Sequence, residues 1–204
     1  MVGAQLVLRS RFLFLIAVYT ILATMSGSIL YLQQADIVSR VFDLPEQRTQ
    51  LFALVDLSVN TLTVLIQVLL TGRIVNAFGI TNAIRILPVL VFLGMLILGF
   101  SPVLGVVLVV QVLRRATAFS IAVPTVNALF TVVSPEERYK AKHFIDTVMY
   151  RLGDVTSSWL FSFLRTSGYN LGFIAMFGAL LGLAWTAVAL VLGREFLWRR
   201  VNSS

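Results

Sequence analysis

The chain has 204 residues, 58% of them hydrophobic and 12% charged, with a mean hydropathy of +0.93 and a formal net charge of +7. An average soluble domain carries about twice that share of charge, so the composition excludes one and marks an integral membrane protein. The basic residues sit at the ends of apolar runs rather than on one continuous stripe, which argues against nucleic acid as a partner. No cysteine is present and there is a single histidine, so neither a thiolate nor a multi-histidine metal site is expected, and no cofactor.

A bilayer core takes about 20 apolar residues per helix. Six segments meet or approach that length, at 12–32, 51–71, 86–101, 103–131, 143–165 and 172–193. Arg9 and Arg11 precede the first. It exceeds the roughly 7–15 residues of a signal-peptide core, and further spans follow, so it reads as a retained helix. Its outer half holds Thr24, Ser26, Gly27 and Ser28, small residues that favour close helix approach. The stretch from Gln33 to Gln50 is the longest connection, broken at Pro45. Before the break Ile37, Val38, Val41 and Phe42 fall on one side of a helix, so the first helix is expected to run past the membrane or to end in an interfacial turn.

In the second span Asp56, Asn60, Thr63 and Gln67 follow one another at intervals of 4, 3 and 4 and share one face. That face serves either interhelical hydrogen bonds or a transport path. Gly79 is expected to stop a short amphipathic stretch or to supply a positive-φ turn. The third span is short and the fourth long, with a tight turn between them at Phe100-Ser101-Pro102.

The fourth span carries Gln111, Arg114 and Arg115, roughly 16 Å in from its outer end at about 1.5 Å per residue. Gln111, Arg115, Ala118, Ala122 and Thr125 share a face of mostly small residues. Adjacent arginines cannot point the same way on a helix, so one is expected to face a cavity and the other a partner carboxylate. Pro124 is expected to kink this helix, with Ser120 or its neighbours re-satisfying the freed carbonyl.

From Ser134 to Trp159 a charged amphipathic connector runs unbroken into the fifth span. At about 100° per residue, Asp146, Ser157, Tyr150, His143, Asp154, Thr147, Ser158 and Arg151 fall within an arc of roughly 140°. The remaining arc is apolar apart from Thr156. Ionisable groups at membrane depth are costly and mark a pathway, a relay or a paired network, so the polar arc is either a structural ion-pair face or a substrate-lining face. Asp56, Asp146 and Asp154 balance Arg114, Arg115 and Arg151 within the spans. Because unpaired buried charge is costly, pairing is expected. Arg114 or Arg115 with Asp154, all at mid-depth, is the expected pair, whereas Asp146 lies nearer the cytoplasmic end. The last span holds Gly178 and Gly182 at a spacing that permits close packing, and Arg194, Trp198, Arg199 and Arg200 follow as an interfacial anchor.

Orientation follows from the basic residues. With the N-terminus inside, ten lysines and arginines collect on the cytoplasmic side, among them Arg9, Arg73, Arg138, Lys142 and Arg200, against Arg40, Arg48 and Arg165 outside. Both termini are therefore expected in the cytoplasm, and an inner (cell) membrane is the expected location.

This organisation resembles one half of a major facilitator superfamily transporter. The loop Gly72-Arg73-Ile74-Val75-Asn76-Ala77-Phe78-Gly79 is similar in position to that superfamily's GxxxDRxGRR loop, with both glycines kept and the charges replaced. The run Tyr139-Lys140-Ala141-Lys142, Phe144-Ile145-Asp146, Tyr150-Arg151 and Gly153-Asp154 is similar to a YKAK-x-FID-x-x-x-YR-x-GD pattern in the bacterial ATP/ADP translocase-like branch. The resemblance implies an all-α, six-helix fold built of two inverted three-helix repeats, here the C-terminal half. It also implies secondary transport by alternating access, for an anionic solute that arginines suit, a nucleotide included. The pathway residues would be Asp56, Asn60, Gln111, Arg114, Arg115, Asp146, Tyr150, Arg151 and Asp154. The chain would be a fragment or half-transporter, completed by an N-terminal six-helix half, from the same gene or a separate chain, or by a second copy.

An enzyme is not expected. Glu136-Glu137 resembles the start of an EExxxR metallopeptidase motif, but Ala141 stands at the arginine position. His143 lies at the membrane boundary, away from a rhomboid-type dyad, and no GxxxxGK[ST] loop is present. The rival expectation is a non-transporting six-helix subunit or assembly partner, whose polar faces serve helix contacts alone.

Overall fold

The computed structural model describes residues 2–202, with the side chains of Val2, Ile74, Val75 and Asn76 outside that description, so the Asn76 position of the loop motif lies outside the described residues. Among the described residues the chain is helical throughout, with no strand. Five helices are long and apolar enough to cross a membrane: Arg11–Val41, Pro45–Thr71, Ala77–Phe100, Leu104–Val132 and Leu171–Asn202. The expected span at 143–165 is not one of these five. It lies within a continuous helical run, Pro135–Thr166, along which Asp146, Arg151 and Asp154 are placed.

The chain opens with a short helix that hydropathy did not reveal, α1 (Val2–Arg9). It packs along α7 (Pro135–Phe144), where a Cβ at Gly3 would lie 2.7 Å from the Lys140 carbonyl oxygen. Ser10 then caps α2 (Arg11–Val41), accepting from the Leu13 amide at 3.5 Å. At about 1.5 Å per residue α2 is roughly 46 Å long against a hydrocarbon core of about 30 Å. It thus continues beyond membrane thickness, as Ile37 and Val38 suggested. The expected long loop shrinks to a few residues, because Pro45 occupies the first turn of α3 (Pro45–Ile66), where its missing N–H is harmless.

A π-turn, Gln67–Thr71, joins α3 to α4 (Gly72–Phe100). Helical geometry fails inside α4 at Gly79, with φ 71° and ψ 165°, the positive-φ turn expected there. A second π-turn, Ala118–Ala122, separates α5 (Leu104–Thr117) from α6 (Val123–Leu129), and a third, Ile145–Met149, separates α7 from α8 (Tyr150–Thr166). Ser134 caps α7 reciprocally: its hydroxyl accepts from the Glu137 amide and donates to Glu137 Oε2 at 3.0 Å.

The most extensive pairing joins α4 to α9 (Leu171–Asn202), antiparallel, through glycines. A Cβ at Gly172 would meet the Gly99 carbonyl oxygen at 2.8 Å, one at Gly182 the Phe92 Cα at 2.9 Å, and one at Gly193 the Thr81 Cγ2 at 2.7 Å. Gly178 sits against Met95. The spacing read as a close-packing signal is therefore used along the whole interface. Against this pair lies α2, whose Phe12, Ile16 and Tyr19 are buried with Trp185 and Phe196 of α9. By contrast α3 buries only Val55 and Val59, and α8 only Gly153, Ser157 and Leu164. These two helices hang on the edges of the bundle.

The bundle has two distinct ends. At one, α1 meets α7, Thr81 meets Gly193, and the Arg199 guanidinium stacks 5.0 Å over the Phe12 ring. At the other, Asp36 of α2 holds both Arg40 at 3.2 Å and Arg165 of α8 at 3.1 Å. The run Pro135–Thr166 therefore travels the length of the bundle, and the first and last helices bring both ends of the described chain to the same end.

Candidate functional site: a polar cluster shared by four helices

The polar residues read from the sequence converge on α2, α3, α5 and α8, with α4 and α9 packed behind. Arg115 of α5 forms an ion pair with Asp56 of α3. Asp154 of α8 accepts a hydrogen bond from the Ser28 hydroxyl of α2 at 2.7 Å. Arg115 thus takes a carboxylate, but that of Asp56. The expected pairing of Arg114 or Arg115 with Asp154 is not formed, because α2 stands against α8 and offers Ser28 first.

Between these two contacts lies Arg114, directed elsewhere by the 100° step between neighbouring residues. Its Nε donates to Oε1 of the buried Gln111 at 3.2 Å. Its guanidinium occupies the space that a side chain at position 27 would fill, since a Cβ at Gly27 would lie 2.8 Å from Nη1. Among the described residues no carboxylate pairs with Arg114, so it is a cation inside the Leu104–Val132 span held by an amide and a glycine notch.

The close approach of α8 to α2 comes from small residues. A Cβ at Gly153 would meet the Ile21 carbonyl oxygen at 2.9 Å, and the neighbouring Ser157 is fully buried. The polar arc of the fifth span is consequently divided. Ser157 and Asp154 turn toward α2, whereas Tyr150, Arg151, Thr147 and Ser158 are exposed. The apolar arc is divided too, leaving Val155 and Trp159 exposed. Asn60 is exposed on α3, one turn beyond Asp56. Asp146 does not join the cluster: it sits in the π-turn, exposed, about two turns of helix before Asp154.

The π-turns that follow α3 and α5 are tied to each other by the same kind of polar contact. Thr71 donates its hydroxyl to the Ser120 carbonyl at 3.0 Å, and Gln67 Nε2 donates to the Phe119 carbonyl at 3.3 Å. Ser120 is four residues before Pro124, so its carbonyl is the one that proline deprives of a helical donor. The expected relief is present, but it comes from the π-turn that follows α3. The Ser120 hydroxyl itself donates to the Ala116 carbonyl at 2.7 Å.

Two members of the cluster were not legible as site residues. Gly27 and Ser28 read only as small residues for helix packing, and in fact they seat Arg114 and bind Asp154. Their one signal was their place in the small and polar run Thr24, Ser26, Gly27 and Ser28 of a mostly apolar span.

No family model matches the chain. Among curated proteins it is similar to ADP,ATP carrier protein 2 of Chlamydia pneumoniae, 23% identical over 221 residues, an alignment that takes in 96% of this chain and 41% of the carrier. The chain spans about two-fifths of the length of that relative.

Proposed function

We propose that this chain is one six-helix half, the C-terminal one, of a major-facilitator-type secondary transporter. It would move an anionic solute, with nucleotides as the first class to test, by alternating access across an inner membrane. The observation that carries the proposal is the cluster of Arg114, Arg115, Asp56 and Asp154. Its arginines stand on α5 and its carboxylates on the helices that this chain covers least, α3 and α8, away from the glycine-packed seam of α4 and α9. Arg114, with no carboxylate of its own, supplies a planar multi-donor cation for phosphate or carboxylate. Asn60, Gln111, Tyr150 and Arg151 extend the same lining, and Asp146 would stand at its cytoplasmic mouth.

Three further points support the reading. Both ends of the described chain lie at one end of the bundle, which suits an even number of crossings, with Pro135–Thr166 counted beside the other five. The apolar flanks of α3 and α8, Leu57, Val64, Val155 and Trp159 among them, suit a second six-helix unit. The relative that matches nearly the whole chain is named as a carrier of ADP and ATP.

The test is uptake of labelled ADP, ATP and phosphate into vesicles containing the chain together with the half that precedes it. Arg114→Ala, Arg115→Ala and Asp154→Asn should each lower uptake at least about tenfold, with unchanged protein in the membrane. Unchanged uptake in all three would remove the lining assignment. No anion uptake by the unsubstituted protein would favour the non-transporting subunit, in which the Asp56–Arg115 pair only ties α3 to α5.

A further inference from the structure

The bundle carries a second concave feature, unrelated to the polar cluster. A groove of about 610 Å³ runs between α4 and α5, walled by Val89, Leu93 and Ile97 on one side and Val109 and Leu113 on the other. All five are exposed large apolar side chains. The helices close its floor where Gly94 meets Val110: a Cβ at Gly94 would lie 2.6 Å from Val110 Cγ1. On α5, Val109 and Leu113 point away from Gln111 and Arg115, two residues or about 200° further along. The groove therefore faces outward from the cluster.

One end of the groove is not apolar. Asn82 and Arg85 line it there, toward the end of the bundle where Thr81 meets Gly193. Arg85 Nη1 donates to Asn82 Oδ1 at 3.0 Å, its Nε has no partner, and no ion pair reaches it among the described residues. From Arg85 to Ile97 the helix rises roughly 18 Å at about 1.5 Å per residue. One leaflet of hydrocarbon is about 15 Å deep, half of the core thickness. A cation at the headgroup level above an apolar channel one leaflet deep is complementary, in charge and in length, to one anionic phospholipid. We infer that the α4–α5 groove binds such a lipid, with its phosphate on Arg85 and an acyl chain laid along Val89, Leu93, Ile97 and Leu113.

The test uses the purified full chain in micelles, with phosphatidylglycerol and phosphatidylcholine supplied in equal amounts and bound lipid read by native mass spectrometry. Phosphatidylglycerol should be retained in preference to phosphatidylcholine. Arg85→Gln should weaken that preference about fivefold, the effect of roughly one basic residue at an anionic surface. Arg85→Lys should keep it. Leu93→Trp, which fills the groove from an exposed position, should reduce bound lipid of both kinds without altering charge. Equal retention of the two lipids, or an unchanged preference in Arg85→Gln, would overturn the proposal. So would displacement of the lipid by glycerol 3-phosphate at equal concentration, which would mean a headgroup site with no role for the groove. The chain lacks cysteine, so Val109→Cys introduces a single thiol. Efficient disulfide dimerisation of that variant in liposomes would assign the groove to a second copy instead.

Discussion

The Tyr19 hydroxyl donates to the Ile84 carbonyl oxygen at 3.1 Å, and Ile84 is the residue four before Pro88. Proline has no N–H, so the Ile84 carbonyl loses its helical donor. In hydrocarbon no water is available to replace it, and a neighbouring helix must. Tyr19, buried edge-on against Trp185 at 5.2 Å, delivers that donor from α2. Thr71 does the same for Ser120 below Pro124. Tyr19→Phe is expected to destabilise the bundle by about 1–2 kcal/mol. Pro88→Ala, which restores the helical N–H, should abolish most of that cost in the double variant. Equilibrium unfolding in mixed micelles measures both. Additive effects of the two substitutions would show that the hydroxyl does not serve the proline.

A glycine in the α4–α9 seam and a helical glycine in open space should respond in opposite directions. Gly182→Ala places a methyl 2.9 Å from the Phe92 Cα, an atom of the backbone that cannot swing aside. A loss of about 1–3 kcal/mol is expected. Gly72→Ala meets nothing within 4 Å in a helical conformation and should be neutral or stabilising by about 0.5–1 kcal/mol. The same unfolding assay compares them.

The pairing of Asp56 with Arg115 can be measured without a transport assay. Both side chains are partly open, so a double-mutant cycle with Asp56→Asn and Arg115→Gln should return a coupling of about 0.5–1 kcal/mol. The reversed pair, Asp56→Arg with Arg115→Asp, should recover most of the stability lost in either single reversal. No coupling would mean that the two helices are held together by the Thr71 and Gln67 contacts alone.

In the connector helix α7, the Lys140 ammonium hydrogen-bonds the Glu136 carboxylate at 2.6 Å, and its charge adds to that bond, so the Glu136 pKa is held below the ordinary glutamate value. The depressed value means that the ionised carboxylate is the form the folded state favours. The associated stability is present above the unfolded-state pKa and is lost as pH falls through the folded-state pKa. Selective isotope labelling of glutamate in the full chain should show Glu136 titrating below the ordinary glutamate value. Lys140→Gln should move it up toward the ordinary value.

Much of this protein was determined by sequence alone, for a physical reason. Hydrocarbon imposes length and polarity on each helix separately, so the apolar runs at 12–32 and 172–193, the turn at Ser101-Pro102 and the positive φ at Gly79 are local demands that a local pattern reveals. The glycine spacing at 178 and 182 likewise has a local meaning, because only a missing side chain lets two backbones approach. Partner choice is different. Arg114 and Arg115 were both legible as costly mid-span cations, but which carboxylate each reaches depends on which helix lies beside it. The tertiary structure decided that α3 stands at Asp56's distance from Arg115. It also decided that α2 brings Ser28 to Asp154 and an absent side chain, at Gly27, to Arg114. It lifted α1 from an apparent flank into a helix on α7, and it divided the polar arc of the fifth span with a π-turn that no periodicity announces. Those outcomes rest on contacts between segments far apart in the chain, where the geometry of packing, not the local sequence, sets which polar groups meet.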